Sequence, residues 1–164
     1  MIAENQSKET VERELDKYGV YASVTSGTSM RPLFKTHRDV IIVRKPQGEL
    51  KKYDVALYRA QTGEMYILHR VIGVGDDVYL IRGDNTFVVE RVRKDRVIGI
   101  LTEFNRAGKK HSVEEFGYKL YSRMWHYIYP VRYVWHSLYR LMVKVYRFLF
   151  KRKKKAQTEN LTKD

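Results

Sequence analysis

Short apolar segments separated by polar turns fill the middle of the chain, and this pattern predicts strands. Val40-Ile41-Ile42-Val43 is an apolar run of buried-strand length, and later segments alternate between apolar and polar positions. Regular spacing with Gly- and Asp-containing turns predicts a mainly β protein with a compact antiparallel domain. The predicted strands are Val40–Val43, Asp54–Arg59, Met65–Val74, Val78–Arg82 and Val97–Leu101.

Helical patterns flank the predicted β domain on both sides. Glu9–Tyr18 has the composition of a short polar helix, and Gly19 provides its stop signal. A second helical period begins at Val131, directly after Pro130, which is tolerated in the first turn of a helix. The sequence therefore predicts three parts: an N-terminal polar helix in residues 1–20, a β domain in 21–115 and a C-terminal tail in 116–164.

The tail carries most of the positive charge. The chain has 32 Lys and Arg against 19 Asp and Glu, a formal net charge of +13. Residues 116–158 contain 11 of the basic residues and no acidic residue, so the remainder is nearly neutral. At about 100° per residue, the helix that begins at Val131 gathers its cations on one face, with apolar side chains opposite. The basic face is Arg132, His136, Arg140, Lys144 and Arg147.

This pattern is typical of a helix that lies on an anionic membrane surface. Trp and Tyr accompany the apolar face, and a polybasic run follows at Lys151–Lys155. A membrane-spanning helix is disfavoured, because Arg140 and Lys144 would each cost about 2.5–3.5 kcal/mol at mid-bilayer. Two alternatives stay open: the apolar face packs on the β domain or on a partner protein. Nucleic acid is a weaker candidate, since the tail has no recognised reading motif.

Composition removes several kinds of chemistry. The chain has no cysteine, which excludes disulfides, thiol catalysis and cysteine-based zinc sites. Its five histidines show no metal-ligand spacing, and no Walker or dinucleotide glycine motif is present. We therefore expect neither a cofactor nor a metal ion.

One serine and one histidine stand out as candidate catalytic groups. Ser29 lies in a turn of small residues, and His69 lies on a predicted strand. A serine hydroxyl needs a base to act as a nucleophile at neutral pH, and a neutral imidazole suits that role. A serine in such a turn is more often only a turn residue, so spacing alone does not establish catalysis. His37 is a rival base by proximity, but its polar setting predicts an exposed turn.

Three segments, in order, resemble the signal peptidase I and phage-repressor peptidase superfamily. Ser26–Pro32 resembles its nucleophile segment, in which the serine before methionine attacks the peptide carbonyl. Tyr66–Gly73 resembles the segment of the base, with His69 where most bacterial enzymes have lysine, as in the endoplasmic-reticulum and archaeal branch. Ile81–Asn85 resembles the Gly-Asp-Asn segment. The resemblance spans residues 24–101 and implies a serine endopeptidase with an antiparallel β fold.

The chain departs from the family pattern at the oxyanion site. Signal peptidases usually have serine two positions before the nucleophile, where this chain has Gly27. The resemblance then leaves the Ser29 backbone N–H as the first candidate donor, with the Thr28 hydroxyl as another. Thr28 and Met30 are accordingly the candidate contacts to substrate or oxyanion.

The residue that orients the base is a second departure. The histidine branch has an aspartate six residues after the Gly-Asp-Asn aspartate, and this chain has Glu90 there. Such a carboxylate fixes the imidazole tautomer and stabilises the imidazolium. Asp84 is the rival for this role, although it also fits a structural part in a tight turn.

The resemblance implies cleavage of a leader or precursor peptide, bound as an extended strand, with small residues before the cut. No signal peptide or membrane-spanning anchor is recognisable near the N-terminus, so we expect a cytoplasmic protein or one peripheral to the inner membrane face. Two alternatives are a catalytically degenerate module that binds membranes or proteins, and an autocleaving regulator. The second is disfavoured by His69 in place of lysine.

Overall fold

The computed structural model describes residues 8–61 and 65–161, and a helix opens the described chain. This helix, α1, is Lys8–Tyr18 and ends as predicted at Gly19. Gly19 has a φ of 69° and donates its N–H to the Leu15 carbonyl over 3.0 Å, a left-handed helix end that glycine accommodates without strain. Val11 and Leu15 are buried, so α1 packs against the core along one apolar stripe.

The central element is one eight-stranded antiparallel sheet. Its order is β1-β2-β7-β3-β4-β5-β6, and β8 pairs with β7. Every pair is antiparallel, which confirms the predicted mainly β fold with a helix at each end. The strands are β1 Val20–Val24, β2 Val40–Arg44, β3 Val55–Arg59, β4 Tyr66–Val74, β5 Val78–Arg82, β6 Glu90–Arg93, β7 Val97–Arg106 and β8 Lys109–Ser112.

The five predicted strands are present, and β1, β6 and β8 are additional. Residues 62–64 of the predicted turn before β4, and residues 1–7, lie outside the described residues. Apolar side chains form a core on each face of the sheet. The central strand β3 contributes to both, with Val55 and Leu57 on one side and Ala56 and Tyr58 on the other.

Two helices follow the sheet: α2, Phe116–Tyr127, and α3, Tyr129–Leu161. The chain divides into two compact units, residues 1–126 and 127–164. The predicted start of the tail at residue 116 therefore moves to residue 127, because α2 buries Tyr118 and Ser122 within the first unit.

The second unit consists of α3 with the last residue of α2. Its helix begins two residues before the predicted Val131 and has Pro130 in its first turn. Its apolar side chains, including Trp135 and Leu138, are exposed, whereas the side chains of Lys151–Lys155 lie outside the described part. Within the described residues, no helix combines the length and apolar character needed to cross a membrane.

Candidate active site

Ser29 lies in the irregular segment between β1 and β2, in a turn whose backbone is held at several points. Gly27 has a φ of 81°, a left-handed conformation that favours glycine, and its carbonyl accepts a hydrogen bond from the Thr36 hydroxyl. The Arg31 N–H donates to the Thr28 carbonyl over 3.2 Å. Thr28 is exposed and Ser29 is partly exposed, so this turn presents the serine at the surface.

The Met30 side chain anchors the turn to the hydrophobic core. Its side chain is 6% exposed and belongs to the core that includes Leu33 and Phe34. Met30 also lines a small pocket beside Ser29, whose other apolar lining residues are Phe34, Ile41 and Leu68. The residue after the serine thus fixes the turn and shapes the space next to it.

His69 lies on β4, opposite Ala56 of β3, and is 7% exposed. Its Nδ1 atom is 3.1 Å from Glu90 Oε1 and 3.2 Å from the Tyr58 hydroxyl. Tyr58 donates in turn to Glu90 Oε2 over 3.0 Å. One histidine, one carboxylate and one phenol therefore form a triangle of polar contacts in which the carboxylate contacts both other groups.

The electrostatics of this triangle determine which ring nitrogen carries the proton. Hydrogen bonds donated by His69 and Tyr58 outweigh burial and hold the pKa of the Glu90 carboxyl below its usual value. Burial and the nearby Glu90 charge raise the pKa of the Tyr58 phenol well above its usual value. An ionised carboxylate only accepts hydrogen bonds, so Nδ1 of a neutral His69 carries the hydrogen. The lone pair is then on Nε2, as a general base requires.

Gly83 marks the point where the histidine and serine segments meet. A Cβ atom on Gly83 would lie 3.0 Å from His69 Nε2 and 2.7 Å from the Ser29 carbonyl oxygen. Only a residue without a side chain fits between these two groups. The glycine of the Gly-Asp-Asn segment is thus a spacing requirement, which the sequence interpretation as a turn did not identify.

The Gly-Asp-Asn segment also holds the serine turn directly. Asn85 donates its backbone N–H to the Ser29 carbonyl over 2.7 Å and its side-chain amide to the Thr28 carbonyl over 3.3 Å. Among the described residues, the Ser29 hydroxyl makes no hydrogen bond to His69. The backbone N–H of Ser29 also donates to no acceptor among these residues. Catalytic hydrogen bonds are often long or absent before substrate binds. This N–H is the first candidate donor to an oxyanion that the family resemblance implies.

Asp84 does not orient the histidine. Its two carboxylate oxygens accept from Arg70 Nε and Nη2 over 2.8 and 2.7 Å, and Tyr121 donates a third hydrogen bond over 3.0 Å. Both ends of the Arg70–Asp84 pair are buried. The structure therefore corrects the rival assignment: Glu90 contacts the imidazole, and Asp84 is held by the residue that follows His69.

His37 occupies an exposed turn, as predicted. Its φ is 57°, and its N–H donates to the Thr25 carbonyl over 2.7 Å. Sequence reasoning missed Tyr58, Arg70 and Trp125, which come from three different elements and share no motif. A buried-strand tyrosine followed by a polar residue was the available signal for Tyr58, and it is a weak one.

The site thus joins a serine turn, a strand histidine, a carboxylate and a phenol, an arrangement suited to proton transfer from a hydroxyl. No model of a known protein family matches the chain, and no curated protein is significantly similar to it.

Proposed function

We propose that this chain is a serine endopeptidase in which Ser29 is the nucleophile, His69 the general base and Glu90 the group that orients the base. The observation that carries the proposal is the two-sided environment of His69. Nδ1 is bound to Glu90, whereas Nε2 and the Ser29 carbonyl oxygen lie 3.0 and 2.7 Å from the position that a Cβ atom on Gly83 would occupy. This division of the two nitrogens is what a serine–histidine mechanism needs.

In the proposed reaction, Ser29 Oγ attacks a peptide carbonyl while His69 Nε2 accepts the hydroxyl proton. Glu90 stabilises the resulting imidazolium, and the Ser29 N–H holds the oxyanion. His69 then delivers the proton to the leaving amine, and the C–N bond breaks to leave an acyl-enzyme. A water molecule, deprotonated by His69, attacks the ester carbonyl and releases the new carboxyl terminus as Ser29 regains its proton.

The substrate we propose is an extended peptide with a small side chain before the cut. β1 lies at the end of the sheet and leads directly to the Ser29 turn, so a peptide can add to this edge by main-chain pairing. The pocket beside Ser29 is narrowed by Phe34, Ile41 and Leu68. A leader or precursor peptide with alanine or glycine directly before the cut fits this narrow pocket.

We further propose that α3 places the enzyme on an anionic membrane surface. The helix combines exposed apolar residues such as Trp135, Leu138 and Met142 with cations on its other side. A helix of this type lies in the interface plane rather than across it. Under this proposal the protein is peripheral to the membrane, and we propose the inner face as its location.

Cleavage of leader-like peptides tests the catalytic proposal. The wild type is incubated with a peptide library that varies the residue before the cut, beside Ser29→Ala and His69→Ala. Ser112→Ala and His37→Ala are matched controls. We expect cleavage by the wild type and both controls only, and a trapped acyl-enzyme on Ser29 by mass spectrometry. Cleavage by Ser29→Ala at the wild-type rate would refute the nucleophile, and full activity of His69→Ala would refute the base.

The alternative of a degenerate binding module rests on the absent hydrogen bond between the Ser29 hydroxyl and His69 within the described residues. It predicts that no peptide is cleaved while membrane binding is retained.

Flotation with phosphatidylglycerol and phosphatidylcholine vesicles measures membrane binding. Leu138→Glu should reduce recovery on anionic vesicles, whereas Val88→Glu, an exposed valine outside α3, should not. Equal recovery of all three proteins would refute the role of α3.

A further inference from the structure

Helix α2 contacts the candidate active site through Asp84. Trp125 donates its indole N–H to the Asp84 backbone carbonyl over 2.8 Å, and Tyr121 donates its hydroxyl to the Asp84 carboxylate over 3.0 Å. Asp84 stands between Gly83, which spaces the serine and histidine segments, and Asn85, which binds the Ser29 carbonyl. Tyr121 and Trp125 of α2 thus bind Asp84, the middle residue of the turn whose other two residues contact the Ser29 segment.

The same helix contacts the residue next to the candidate base. Arg70 follows His69 on β4, and its Nη1 atom donates to the Tyr118 hydroxyl over 3.2 Å and to Ser122 Oγ over 2.9 Å. The opposite edge of its guanidinium carries the ion pair with Asp84. A buried ion pair stabilises a structure only when its remaining donors are also hydrogen-bonded, and α2 supplies two of the acceptors.

We propose that α2 is a positioning element of the catalytic site, and that Tyr121 and Trp125 set the separation of Ser29 and His69 through the Gly83–Asn85 turn. This inference rests on the proposed peptidase function. The helix contacts the segments of both candidate catalytic residues. It binds Arg70, which follows His69, and it binds Asp84 in the turn that contacts the Ser29 backbone.

The expected consequence is a loss of turnover without a loss of fold. A displacement of about 1 Å between reacting groups can cost on the order of 10²-fold in rate. The hydrogen bonds of Tyr121 and Trp125 described above go to Asp84 and act on the Ser29 turn through it, so substrate binding should change little. A merely structural helix would instead change the stability and leave kcat of the folded protein as it is.

The test uses the full chain with Trp125→Phe, Tyr121→Phe and the double variant. These changes remove one N–H and one O–H but keep the aromatic rings. The chain provides matched controls at two exposed tyrosines, one in α1 and one at the end of α2: Tyr18→Phe and Tyr127→Phe. kcat and KM are measured separately, well below each unfolding midpoint, so that the folded fraction does not enter.

A second readout does not require activity. The Asn85 amide donates to the Ser29 carbonyl, so its hydrogen exchange reports on the placement of the turn. We expect the double variant to lower kcat roughly 10- to 100-fold with KM within about twofold, and to speed Asn85 exchange several-fold. The controls should match the wild type in both measurements.

The two readouts separate the outcomes. Unchanged Asn85 exchange in the double variant overturns the positioning role, and so does an unchanged kcat or a change confined to KM. A wild type that cleaves no peptide refutes the proposed function instead. Asn85 exchange then still determines whether α2 places the turn.

Discussion

The Tyr58 hydroxyl donates a hydrogen bond to the Glu90 carboxylate over 3.0 Å, and the same carboxylate binds His69. Tyr58 therefore restrains Glu90, and Glu90 in turn restrains His69, the candidate base. Because β3 and β4 are paired neighbours, Tyr58 of β3 and His69 of β4 lie close enough together for both to contact Glu90. The relationship leads to a prediction for a residue outside the three motifs.

Tyr58→Phe should lower kcat by up to about tenfold, because a single hydrogen bond contributes about 0.5–1.5 kcal/mol. The ring stays in the core, so the fold should be retained. Steady-state kinetics measure the effect, with Tyr18→Phe, an exposed tyrosine, as the control. A variant as active as the wild type would show that Glu90 is held without the phenol.

Glu90→Gln should reduce kcat roughly 10- to 100-fold, since a hydrogen bond to a charged group contributes about 1.5–3 kcal/mol. The pKa of Glu90 is lowered, chiefly by the hydrogen bond from His69. Its charge is therefore complete above the ordinary glutamate pKa and is lost only as the pH falls through the lowered value. The amide is neutral at every pH, so the ratio of wild-type to variant kcat should be largest at neutral pH and should decrease as the pH falls through the lowered pKa of Glu90.

The pH–rate profile of Glu90→Gln is compared with that of Glu49→Gln. Glu49 is an exposed carboxylate that pairs with Lys94 and makes no described contact with Ser29 or His69. We expect its profile to match the wild type. A ratio of wild-type to Glu90→Gln kcat that stays constant as the pH falls would contradict the proposed charge interaction.

Gly83→Ala should abolish most of the activity while the protein still folds. The new Cβ atom would meet the Ser29 carbonyl oxygen at 2.7 Å and the His69 ring at 3.0 and 3.1 Å, so the two segments must separate. We expect a loss of about 10²-fold or more in kcat. Gly48→Ala is the control, since nothing lies within 4 Å of its added Cβ and its backbone needs no left-handed φ. Equal activity of both variants would refute the assigned geometry.

The fold was predictable where the hydrophobic pattern is strong. β2 is an apolar run, and β4 and β5 lie between clear turn signals, so their residues alone predict strands. β6 and β8 were missed because Glu90–Arg93 and Lys109–Ser112 are largely charged or polar. These segments become strands by pairing with β5 and β7, a tertiary effect that local propensity does not contain.

The site was predictable only as far as its motifs extend. Ser29, His69 and Glu90 follow from ordered segments and one count along the chain. The hydrogen bonds of Tyr58 to Glu90, Arg70 to Tyr118 and Trp125 to Asp84 join residues 32, 48 and 41 positions apart. The spacing role of Gly83 likewise exists only after two loops have folded against it, so the sequence indicates a turn there and nothing about its neighbours.

A stability prediction concerns the contact of α1 with the sheet. Glu12 accepts two hydrogen bonds from Arg59 and one from the Tyr66 hydroxyl, each of 2.6 Å. The Arg59 hydrogen bonds are the largest cause that lowers the pKa of Glu12. The stabilisation is therefore complete above the ordinary glutamate pKa and disappears as the pH falls through the lowered value. Glu12→Gln should lower the free energy of unfolding by about 1 kcal/mol at pH 7, since the site is partly exposed.

Urea unfolding at about pH 7 and pH 3 measures this effect. The difference between wild type and Glu12→Gln should shrink at the acidic pH, because the pH has then fallen below the ordinary glutamate pKa toward the lowered value of Glu12. Asp16→Asn is the control: its pair with Lys45 is exposed at both ends, so its cost should stay within about 0.5 kcal/mol. A difference of the same size at both pH values would mean that shape, not the Glu12 charge, holds α1 on the sheet.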